Sequence, residues 1–144
     1  MDPFVNILVF LHFVALAFGV GGGAALGMIG PAMAKAEPAG RVALGGVRRR
    51  VFDTVTIALV ILIVSGPLIL WLRYGGIDIF VANYWFWAKM LLVALLIVMN
   101  IWSRMLLKRA EGGDMSVIPV MARNGQISGI TSLLIVLCAV FAFN

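Results

Sequence analysis

The 144-residue chain is 63% hydrophobic and only 12% charged, with a mean hydropathy of +1.11, which excludes a soluble globular domain. Its net charge of +5 does not point to nucleic acid, because the basic residues fall between apolar runs and report membrane topology instead. The single cysteine, Cys138, excludes an intrachain disulfide and a cysteine-rich metal site, and its place inside the last apolar run predicts a small packing residue.

One domain over residues 1–144 is expected: an all-α integral membrane protein folded as a four-transmembrane-helix bundle with short loops. The apolar runs lie at roughly 4–29, 54–72, 84–103 and 126–143, each near the ~20 residues that cross a hydrocarbon core of about 30 Å. The first run is too long for a signal-peptide core and starts with an acidic rather than a basic residue, so no cleavage is expected. The second contains a Gly66–Pro67 pair, which predicts a kink that a neighbouring helix must help to satisfy. Before the third, Asn83 is placed to cap the helix. In the fourth, Ser128, Thr131 and Ser132 fall on stripes with small residues, as interhelical contacts in membranes do.

Lys35, Arg41, Arg48, Arg49 and Arg50 fall between the first two runs, and Arg104, Lys108, Arg109 and Arg123 between the last two, against only Arg73 between the second and third. The positive-inside rule then puts both termini on the outer, periplasmic side. Trp71, Tyr74, Tyr84, Trp85 and Trp87 form an outer aromatic belt on this arrangement, with Trp102 near the inner interface. Asp53 follows Arg49 by four positions, which predicts an intrahelical ion pair.

Two ionisable residues interrupt the spans. Lys89 lies six residues after Asn83, about 9 Å into its helix, close enough to the interface to snorkel and to meet Trp85 one turn back. His12 is the only histidine and lies ~13 Å into the first helix counted from Pro3, in the same half of the bilayer. Ionisable groups at such positions usually face the bundle interior. On the face that begins at His12, Gly19, Gly23 and Gly27 form a GxxxGxxxG stripe. That bare surface suits either a tightly packed neighbouring helix or a flat macrocycle, with His12 supplying an axial nitrogen to its iron.

The segments FLH, RRRVFDTVT, WAKMLLVALLIVMN and GITSLLIVLCAVF resemble the HemJ-type protoporphyrinogen oxidases, and more loosely the small four-helix membrane proteins that include CopD-like domains. The resemblance covers most of the chain through short motifs. It implies a multi-pass protein of the bacterial inner membrane that binds haem b and oxidises protoporphyrinogen IX, with electrons passing to a quinone or respiratory partner. By the same resemblance His12 is the metal ligand, Lys89 the functional lysine of the third helix, and Arg50 or Arg49 the arginine before the second helix. Gly19 and Gly23 then line the porphyrin. The family's second histidine, eleven residues after the lysine, is here Asn100, on the Lys89 face and the other candidate catalytic position. An amide is not a strong iron ligand, and the family's aromatic and basic segment after the first histidine is replaced by GVGGGAALGMIGPAMAKA.

One histidine forbids a bis-histidine site within a monomer, leaving a five-coordinate iron, a His/Met pair with Met28, Met90 or Met99, or two His12 residues across a homo-oligomer. Two classes of function follow: a haem-binding redox protein in which Lys89 pairs with a porphyrin carboxylate, or an accessory subunit without chemistry that docks through its glycine-rich first helix.

Overall fold

The computed structural model describes residues 2–142, and they form a four-helix bundle without a strand. The helices are α1 (Pro3–Lys35), α2 (Pro38–Tyr74), α3 (Tyr84–Glu111) and α4 (Ile118–Ala142), with short 3-10 turns at Asp78–Phe80 and Met115–Val117. All four are long and apolar enough to cross a membrane. Their outward faces, including Phe10, Phe13, Met28, Leu91 and Val98, present apolar side chains to lipid, as a bilayer-spanning protein requires.

Local chemistry sets the ends. Asp2 accepts the Phe4 amide at 3.0 Å, with Pro3 in the first turn of α1. Gly75, in the left-handed conformation (φ +74°), closes α2 by returning its amide toward Leu70 and Trp71, a conformation that costs glycine little. Asn83 caps α3 by accepting from Trp85 and Phe86, and its amide also donates to the Ala142 carbonyl at 3.0 Å, tying the start of α3 to the end of α4. Between α3 and α4, the Ser116 hydroxyl and Arg109 hold the Asp114 carboxylate below the ordinary carboxylate range.

The helices run well past the apolar stretches. α2 has 37 residues, about 55 Å at 1.5 Å per residue, so Arg41 and Arg48–Arg50 lie on helix rather than in a loop, and only Ala36 and Glu37 separate α1 from α2. α2 also remains continuous through Pro67.

In space the order is α2–α1–α4–α3, with α1 packed on both α2 and α4, α3 on α4, and α2 and α3 scarcely in backbone contact. Glycine explains the central place of α1. A Cβ at Gly22 would overlap Val55 of α2, one at Gly23 would lie 3.7 Å from the Gly129 Cα of α4, and one at Gly30 would come within 2.7 Å of the Ala122 Cα. Small residues let helix backbones approach where lipid gives no hydrophobic drive for association. Near the crossing at Gly30, buried Arg48 of α2 donates to the Met121 carbonyl of α4 at 3.1 Å. Aromatic packing closes the end that holds Asp2 and Ala142: Phe80 stacks on Phe86 with centroids 5.2 Å apart, and Trp85 on Phe141 at 5.0 Å. Cys138 is a free, buried thiol, as its apolar setting predicted.

Gly30→Ala should destabilise the protein by about 1–3 kcal/mol, because the new methyl meets backbone that must move. Gly21, with nothing within 4 Å of an added Cβ, provides the control: Gly21→Ala should unfold in SDS titration no earlier than the parent protein. Equal midpoints for the two variants would contradict this packing.

Candidate functional site

Three helices each bring one polar residue to a similar depth. His12 lies nine residues after Pro3, Ser65 nine before Tyr74 and Lys89 six after Asn83, so each is about 9–13 Å along its helix from the end that holds Asp2 and Ala142. They meet there. His12 Nδ1 is 2.7 Å from Ser65 Oγ, and Lys89 lies within electrostatic reach of the imidazole. His12 and Lys89 are half-buried, whereas Ser65 is buried. The direct partner of His12 is Ser65 of α2, with Lys89 of α3 acting on the imidazole through its charge.

The hydrogen-bond directions follow from the chemistry of the acceptors. Ser65 Oγ lies 2.6 Å from the carbonyl oxygen of Ile61, and two oxygens that close need a proton between them, which the carbonyl cannot provide. The one hydroxyl proton of Ser65 thus goes to Ile61, and its lone pairs face His12 Nδ1, whose role as donor or acceptor depends on the ring tautomer. Beside the ring, a Cβ at Gly66 would stand 3.7 Å from His12 Cε1, so α2 offers the imidazole two small residues in succession.

Asn100 belongs to a different level. It lies eleven residues beyond Lys89, about 16 Å along α3, and donates to Thr56 Oγ1 at 3.3 Å while Thr56 donates to the Phe52 carbonyl at 2.9 Å. One helical turn further, Asp53 pairs with Arg104 at 3.1 Å, and beyond it Arg49 pairs with Glu111 at 3.3 Å. This corrects the expected Arg49–Asp53 pair. Both residues instead reach across to α3, because the α2–α3 seam, where backbones scarcely approach, is spanned by long polar side chains. Asn100 is thus part of a set of polar bridges between α2 and α3, remote from the imidazole.

The other residues expected at the site are dispersed. A Cβ at Gly19 would lie 3.9 Å from the Leu62 side chain, and Gly23 faces Gly129 and Ser132 of α4. Helix contact therefore occupies the stripe at Gly23, filling the surface a macrocycle would need there. Arg50 is exposed and lies fifteen residues before Ser65 on α2, about 22 Å away along the axis, too far to share one porphyrin with His12. Arg48 is the arginine of that triplet that turns inward, 6% exposed. Of the methionines considered as second ligands, Met28 and Met90 are exposed, and Met99 is buried against α4 with Ser128 Oγ 4.0 Å from its sulfur.

Sequence reasoning missed Ser65, Arg48 and Asn124. Asn124 is 2% exposed and donates to the Met99 carbonyl at 3.3 Å and to the Ser103 hydroxyl. No buried side-chain nitrogen or oxygen among the described residues lacks a hydrogen-bond partner, as a protein surrounded by hydrocarbon demands.

A double-mutant cycle of Thr56→Val and Asn100→Leu should give a coupling of about 0.6 kcal/mol and no more than about 1.7, the range for side-chain hydrogen bonds between membrane helices. Additive effects of the two substitutions would show that the α2–α3 bridge carries no stability.

No protein-family model, curated protein or solved structure matches the chain, and a functional reading rests on the chemistry of His12, Ser65 and Lys89.

Proposed function

We propose that this chain is a haem-b-binding protein of a bacterial inner membrane, with His12 Nε2 as the axial ligand and Lys89 pairing with a porphyrin carboxylate. The observation that carries the reading is the His12–Ser65 hydrogen bond at 2.7 Å, with Lys89 within electrostatic reach of the imidazole. A hydrogen bond to the far nitrogen of an imidazole is the usual support of a metal-ligating histidine, since it fixes the ring and raises its basicity. The Lys89 ammonium places a positive charge near the imidazole, complementary to a porphyrin carboxylate.

The donor set favours a macrocycle over a bare ion. Among the described residues no group of three or more His, Cys, Asp or Glu side chains is placed to hold a metal, and His12 would supply a single imidazole to an iron already held in a porphyrin. When bound, haem supplies one-electron redox chemistry. His12 would bind it, Ser65 would orient His12, and Lys89 would balance its carboxylate. The resemblance to HemJ-type proteins suggests protoporphyrinogen oxidation with a quinone or respiratory acceptor. Asn100 does not serve as a second ligand, because its amide is engaged with Thr56. The distribution of basic residues, concentrated at the end where α1 leads into α2, supports an orientation with both termini outside. Docking of an accessory subunit through the glycine stripe is the weaker reading, since Gly22, Gly23 and Gly30 already pack within the chain.

Titration of haem into the detergent-purified protein should give a Soret shift that His12→Ala abolishes while helical content is retained. Lys89→Gln should weaken haem about tenfold, the equivalent of about 1.4 kcal/mol, yet leave the affinity for haem dimethyl ester unchanged because that ligand has no carboxylate to pair. Binding that survives His12→Ala, or a Lys89→Gln effect as large on the ester, would refute the assignment.

A further inference from the structure

We infer that Ser65 is a positioning residue that locks His12 in its Nδ1–H tautomer and thereby makes Nε2 the donor atom of the site. A neutral imidazole can hold its hydrogen on either nitrogen, and only the bare nitrogen can bind a metal or accept a proton. In this chain the choice is imposed from α2. Ser65 Oγ is buried, and its own proton is committed to the Ile61 carbonyl at 2.6 Å. It therefore has only lone pairs to offer His12 Nδ1 at 2.7 Å.

The alternative tautomer would set the Nδ1 lone pair against the Ser65 lone pairs at that distance. Relieving this would require Ser65 to abandon Ile61 and turn its proton to the ring. The Ile61–Ser65–His12 chain thus has a direction: imidazole to hydroxyl to carbonyl. Because the carbonyl lies one turn before Ser65 on the same helix, the acceptor end is fixed by α2 itself. At Gly66 an added Cβ would rest in ordinary contact with Cε1 at 3.7 Å, so the ring lies directly against α2. Lys89, on the third helix, lies within electrostatic reach of the ring, so an anion drawn to the ammonium arrives beside the imidazole.

Only the identity of the group that meets Nε2 is taken from the haem proposal; the tautomer itself depends on the protein alone. The chain has one histidine, so uniform labelling with ¹⁵N-histidine produces signals from His12 and no other residue. At alkaline pH, where the ring is neutral, ¹⁵N spectra of the full-length protein in detergent should show a protonated Nδ1 and a bare Nε2. Ser65→Ala should move the population toward the Nε2–H form, and Ser65→Thr, which keeps the hydroxyl, should preserve the parent pattern.

The same variants, titrated with haem, should show a 10–100-fold loss of affinity for Ser65→Ala, the usual effect of removing a hydrogen bond behind a metal-binding histidine, and near-parental affinity for Ser65→Thr. An Nε2–H ring in the parent protein, or identical spectra for parent and Ser65→Ala, would overturn the inference whether or not haem binds. A changed tautomer with unchanged haem affinity would overturn the positioning role and leave His12 ligation standing. Absence of haem binding by the parent protein would instead refute the haem proposal, with the ¹⁵N spectra still deciding the role of Ser65.

Discussion

Close approach of α1 to two neighbours at once governs the arrangement of this protein. In lipid the apolar surface of a helix gains little by leaving its surroundings, so association depends on shape, on short backbone separations and on polar groups that find partners. Gly22 admits Val55 of α2, while Gly23 and Gly30 admit Gly129 and Ala122 of α4. A Cβ at Gly22 or Gly30 would force a neighbour to move, whereas one at Gly23 would rest in ordinary contact with Gly129. With α1 wedged between α2 and α4, its amino-terminal half is held against the carboxy-terminal half of α2, and that contact brings His12 to Ser65. The site is a consequence of glycine packing about 10 Å or more further along the helix.

The same geometry leaves one seam of the bundle different from the others. α2 and α3 do not pack closely, and they are joined by Thr56–Asn100, Asp53–Arg104 and Arg49–Glu111. The two ion pairs lie near the basic end, where charged side chains reach water and gain only modest energy from pairing. Thr56–Asn100 lies deeper, where an unpaired amide would cost more. Lys89 stands on the same face of α3 as Asn100, three turns away, with only apolar residues between them. The covalently shortest link in the molecule, Ala36–Glu37 between α1 and α2, fits the tight packing of those two helices.

Much of this was legible in the sequence, and the omissions have physical causes. Uninterrupted apolar runs revealed four spans because hydrocarbon admits little else. Their lengths were underestimated because helices do not stop where hydrophobicity does: residues 38–53 contain no helix-breaking proline after the first turn, and arginine and alanine extend the helix into the headgroup region. The depth of His12 and Lys89 followed from a fixed rise per residue, which is why their proximity could be anticipated. Ser65 could not be found this way, since a lone serine in a span is usually satisfied by its own helix, and its second bond exists only because α1 crosses there. Consecutive arginines point in directions about 100° apart on a helix, so which of Arg48, Arg49 and Arg50 turns inward depends on where α4 lies. The partner of Asp53 was likewise decided between helices rather than along one.

The role proposed for His12, held by Ser65, is that of a haem ligand. Its most direct test is the optical spectrum, with a pyridine haemochrome assay, of the protein purified from cells given a full haem supply. A Soret band that disappears in His12→Ala while the four-helix fold persists is the predicted result. A folded, colourless parent protein under the same supply would contradict the claim.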